Sequence, residues 1–110
     1  MGLRQMAKIF LWVDDERKNP FEDIPFCEGA STHTVRSYQA TIEFLEQCRD
    51  VHEVYIDLDH DLGEDKTGYD ICKFIVSTNY PLIGFHLHTM NPVGRQNMEQ
   101  LLTHYGYAQS

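Results

Sequence analysis

The sequence predicts an α/β domain built on a mainly parallel sheet, and three observations carry that prediction. Short runs of β-favouring apolar residues alternate with segments of helical period, the spacing of βαβ crossovers. Each of the clearest apolar runs stops abruptly at polar residues: Asp14-Asp15 after the first, Asp59 after another, His88-Thr89 after a third. The chain has 110 residues with 42% hydrophobic content, enough for one core and too little for two, so residues 1–110 are read as a single domain.

The elements follow in order. "KIFLWV" (Lys8 to Val13) is continuously apolar, as a strand buried on both faces requires. Glu16 to Ala30 carries Pro20, Pro25 and Gly29 without a period of 3.6 and reads as a long loop. "STHTVRS" has a short β tendency, and Ser37 is placed to cap a helix whose stripe is Ala40, Phe44, Leu45 and Cys48. "EVYIDLD" is the next strand. After an acidic loop, "GYDICKFIVSTN" puts Ile71, Phe74 and Ile75 on one helical face, with Pro81 beyond its end. "LIGFHLHT" reads as a strand, and "PVGRQNMEQLLTHYG" as a helix with Pro92 in its first turn and Gly106 after its last. "YAQ" is a short terminal strand.

Composition excludes some functions. A formal net charge of -8 argues against bulk nucleic-acid binding, which needs clustered Lys and Arg. No apolar run approaches the roughly 20 residues of a membrane helix, and "MGLRQMAKIF" lacks a signal-peptide core; a soluble, cytoplasmic protein is expected. Cys27, Cys48 and Cys72 are odd in number and widely spaced, without a paired C-x-x-C, so idle or buried thiols are expected.

In parallel sheets, ligands gather at the carboxyl ends of the strands. Asp14, Asp15, Asp59, His88 and Thr89 would share that rim. Crowded carboxylates repel, and a hard cation such as Mg²⁺ relieves them. The alternation Asp57, Asp59, Asp61 also suggests a calcium loop, but an EF-hand begun at Asp57 needs Gly and Glu where Leu62 and Gly68 stand. That reading fails. Asp57 is read as a mid-strand residue, either near an edge or hydrogen-bonded, rather than a functional one, His86 as a packing residue below the rim, and Trp12 and the phenylalanines as core.

"FLWVDDER" (10 to 17), "LDHDLG" (58 to 63), "TGYD" (67 to 70) and "HTMNPVGRQNM" (88 to 98) together resemble the cyclic-phosphate-processing branch of the response-regulator receiver superfamily. The resemblance implies a flavodoxin-like, five-stranded sheet of order 2-1-3-4-5, with the first helix replaced by a loop and the final helix missing. It matches Asp14 and Asp15 to the acidic pair that binds Mg²⁺, Asp59 to the phosphoacceptor, and Thr89 to the hydroxyl residue after the fourth strand. A receiver lysine is expected after the fifth strand, yet the last lysine here is Lys73. In its place stand His60, Asp61, His88, Asn91 and Arg95.

Those groups suit phosphodiester hydrolysis. Asp14, Asp15, Asp59 and Asp61 are the expected ligands for Mg²⁺ or Mn²⁺, with Asp59 also a candidate nucleophile and Asp61 a candidate orienter of a histidine. His60 and His88 are the candidate acid and base, and Thr89, Asn91 and Arg95 the candidate phosphate binders near a helix N-terminus. The resemblance implies a metal-dependent hydrolase of a cyclic phosphate, whether a nucleotide or an RNA end. A degenerate phosphoacceptor, or a non-enzymatic binding module of a phage or conflict system with a protein partner, remains the alternative.

Overall fold

Strands and helices alternate along the chain: β1 (Lys8–Val13), β2 (Ala30–Val35), α1 (Tyr38–Cys48), β3 (Glu53–Leu58), α2 (Gly68–Ser77), β4 (Leu82–Leu87) and α3 (Pro92–His104). The computed structural model describes residues 6–26 and 28–110; Cys27 and residues 1–5 of the signal-peptide reading lie outside them. All strands pair in parallel, in the order β2-β1-β3-β4.

The expected fifth strand does not form. Past Gly106 the chain meets β4 at one parallel bridge, Phe85 with Gln109. There the Phe85 N–H donates to the Ala108 carbonyl and the Ser110 N–H to that of Phe85. A single bridge fixes too few residues to make a ladder.

Alternation along the strands divides the sheet into two faces. Ile9, Leu11, Val13, Val54, Ile56, Leu58, Phe85 and Leu87 join Leu45, Ile71, Ile75, Met98 and Leu102 in one buried cluster, so all three helices cover this face. Their caps follow the sequence. The Ser37 side chain accepts from the Ala40 N–H, Thr67 and Asp70 form a capping box, and Asn91 accepts from the Gly94 N–H.

No helix covers the opposite face among the described residues. The 14–29 loop lies there, pinned by buried Asn19, whose amide donates to the hydroxyls of Thr32 (2.9 Å) and Thr34 (3.1 Å). Phe26 meets Phe10, and Phe21 meets the edge of Trp12. Asp57 is buried on this face, on an inner strand. His86 is not a packing residue: it is exposed, with its Nδ1 against the Ser110 carbonyl (2.8 Å). Cys48 and Cys72 are buried and unpaired, and burial pushes the Cys72 thiol up to about 12. No helix among the described residues is long and apolar enough to cross a membrane.

Candidate functional site

The parallel ladders run one residue past their strands. Asp14 donates its N–H to Val35 (3.2 Å), Asp59 to Val13 (3.0 Å) and His88 to Leu58 (3.0 Å). Three side chains from three strand ends are therefore held side by side on one rim. Ligand-capable atoms of Asp14, Asp59 and His88 all lie within 4.8 Å of one another.

His88 is the hub. Its Nε2 is 3.0 Å from Asp14 Oδ2 and its Nδ1 is 2.6 Å from Asp57 Oδ1. Its ring stacks on the Trp12 indole, with centroids 3.8 Å apart and planes 4° from parallel. Burial alone would raise the Asp14 carboxyl; N–H donation from Arg17 and Glu16, with His88 beside it, outweighs burial and holds it below the ordinary carboxylate value. The backbone of the same turn is fixed by Arg36, whose Nη1 donates to the Asp14 carbonyl (3.0 Å).

Asp15 and Asp61 line the rim cavity of about 270 Å³ with Asp14, Asp59 and Arg17, outside the three-residue cluster. Gly63 closes that cavity in the left-handed region at φ 68°, and a Cβ on it would stand 2.6 Å from Asp15 Oδ2.

His60 forms a second group. Its Nδ1 is 3.0 Å from Asp61 Oδ1 and 3.4 Å from Asn91 Nδ2. The shorter contact assigns the proton to Nδ1, which leaves the Nε2 lone pair without a partner among the described residues. The ring rests on α3, where a Cβ at Gly94 would come within 2.5 Å of it.

The expected phosphate binders sit in the β4–α3 turn (Thr89, Asn91) and the first turn of α3 (Arg95) and bond among themselves and to the local backbone. Thr89 Oγ1 accepts from the Asn91 N–H (3.1 Å), Asn91 Oδ1 from the Gly94 N–H (2.9 Å), and Arg95 Nη2 donates to the Thr89 carbonyl (3.0 Å). Arg95 lines a separate hollow beside Met90 and Gln96. Sequence reasoning missed Arg17, which lines the rim cavity and has its Nη1 3.4 Å from the His88 carbonyl. It also missed Asp57 and the Trp12 stack; that Trp12, Asp57 and His88 share strand parity was the available signal.

The family model of the cyclic-phosphate processing receiver domain matches residues 9–104. The chain belongs to that family. No curated protein matches it. The matched span of this cyclic-phosphate processing receiver domain contains every residue of the rim cluster and of the His60 group. Two carboxylates and one imidazole form a donor set that could hold a divalent ion. An all-oxygen site would suit Mg²⁺, whereas the imidazole nitrogen moves the fit toward a first-row transition ion.

Proposed function

We propose that this receiver-family domain is a metal-dependent hydrolase that opens a cyclic phosphate, carried by a nucleotide or an RNA end. The observation that carries the reading is the convergence of Asp14, Asp59 and His88 beside a histidine with a free ring nitrogen. Asp14, Asp59 and His88 would hold a divalent cation, which would supply Lewis acidity to a phosphoryl oxygen. Asp57 keeps His88 in the Nδ1–H tautomer, so Nε2 faces the cluster as a ligand.

Proton transfer falls to His60. Asp61 holds its Nδ1–H, and Nε2 takes a proton from the attacking water as that oxygen bonds to phosphorus; one ring P–O bond breaks, and Nε2 passes the proton it took to the departing oxygen. Arg17 is the guanidinium best placed for a phosphate oxygen in the rim cavity. Thr89, Asn91 and Arg95 hold the turn into α3, the helix against which His60 rests, and Asp15 adds negative charge to the metal-binding rim.

The test is turnover of 2′,3′-cyclic and 3′,5′-cyclic nucleotides with Mn²⁺ or Mg²⁺, then with chelator, for the native chain, Asp59→Asn, His60→Ala and His88→Ala. Metal-dependent opening of one ring class, lost in all three variants, is the expected result. If His60→Ala retains full turnover, the proton-transfer assignment falls; if no ring opens while Mn²⁺ binds, the hydrolase reading falls.

A further inference from the structure

The face of the sheet without a helix holds a cavity of about 360 Å³, within the roughly 300 to 1,000 Å³ of small-molecule sites. Its floor is Phe10 and Trp12 of β1 with Tyr55 of β3, and Phe21 and Phe26 of the 14–29 loop wall it. Aromatic side chains therefore line both floor and wall, which is the surface a flat ring system fills by stacking.

Asp57 is the charged group in this lining. It is only 7% exposed. Its Oδ1 is taken by His88, and no hydrogen bond among the described residues uses Oδ2. No fully buried side-chain polar atom lacks a partner among the described residues, so Oδ2 reaches open space, and the cavity is the open space that Asp57 lines. A carboxylate oxygen in an aromatic slot selects a ring that brings an N–H donor.

We propose that this cavity binds a planar heterocycle bearing an exocyclic amino group, the chemistry of an adenine-like nucleobase, with Asp57 Oδ2 as the acceptor. Identifying that ring as the base of the cyclic-phosphate substrate rests on the function proposed above; the binding itself does not. The alternative source is a separate nucleoside effector. In either case the ligand and the rim share Asp57, whose other oxygen holds His88.

The chain contains one tryptophan, and it lines the cavity, so its fluorescence reports occupancy directly. The native chain, in chelator, is titrated with adenosine and with purine riboside, which lacks the amino group. The expected result is saturable quenching by adenosine and at least tenfold weaker binding of purine riboside. Phe26→Ala, a change in the loop wall that spares the sheet, should weaken adenosine at least fivefold with an unchanged circular dichroism spectrum. Asp57→Asn should erase the difference between the two nucleosides. Absence of saturable quenching, equal affinities in the native chain, or an unaltered Phe26→Ala overturns the proposal. If a cyclic nucleotide is turned over, a rise in its KM in Phe26→Ala with kcat unchanged identifies the ring as the substrate's base. Unchanged KM with adenosine still bound identifies a separate effector. Because the titration needs neither metal nor turnover, it stands apart from any failure of the hydrolase reading.

Discussion

The two faces of the sheet are closed by different means. Under the helices, mostly aliphatic side chains from every element meet in one cluster, and several of its members, including Leu11, Ile56 and Phe85, have no solvent exposure. On the other face a loop lies over aromatic rings and is pinned by Asn19, and Phe21 stays 39% exposed. The first face supplies stability, and the second leaves room for chemistry. Asp57, which would be costly in the first, is tolerated in the second because His88 bonds one of its oxygens.

The largest effect that separates them is loss of packing. Phe85→Ala should cost about 3 to 5 kcal/mol, as full truncation in a closed core does, whereas Phe10→Ala on the looser face should cost less than half of that in urea denaturation. Equal costs would mean that both faces are core and that the distinction is false. Next comes the polar link across the open face. Asp57→Asn should weaken Mn²⁺ binding about tenfold to hundredfold through its hold on His88, read by calorimetric titration. Undiminished affinity would remove Asp57 from the metal site.

A smaller effect tests the pin. Asn19→Ala should cost about 1 to 2 kcal/mol through three lost hydrogen bonds and should speed tryptic cleavage beside the exposed Lys18. Cleavage at the native rate would mean that the aromatic contacts alone hold the loop. The smallest is a cap on the covered side. The Thr67 N–H, with Lys73 nearby, holds the Asp70 carboxyl below its ordinary value of 3.8. A depressed carboxylate stabilises the fold above its unfolded pKa, and that contribution is lost as pH falls through the folded one. Asp70→Ala should therefore cost about 1 kcal/mol at neutral pH. The gap from the native chain should close as pH drops below 3.8, followed by thermal melts across pH.

The helices were legible because their stripes and the Ser37 cap are local; the Thr67 and Asn91 caps are equally local, each acting within three residues of itself, but went unread. The rim was legible because strand ends in a parallel sheet fall on one edge, which brought Asp14, Asp59 and His88 together from sequence order alone. What the sequence hides is what covers a strand. "KIFLWV" reads as buried on both faces, yet Ile9, Leu11 and Val13 meet helices while Phe10 and Trp12 meet a loop, and the residues are apolar in either case. The bond between Asp57 and His88 joins residues 31 apart and depends on the register of β3 against β4, which no local pattern encodes. "YAQ" carries a strand composition, but only Gln109 forms a bridge to β4.

The imidazole of His60 lies against the bare backbone of α3 at Gly94, without a side chain between them. Helix and ring thus share a bearing surface, and any side chain grown at position 94 would have to push the imidazole aside. Met90 and Val93, at the same end of the helix, are 80% and 66% exposed. The end of the helix that bears the ring is thus close-packed on its inner side and bare of cover on its outer one.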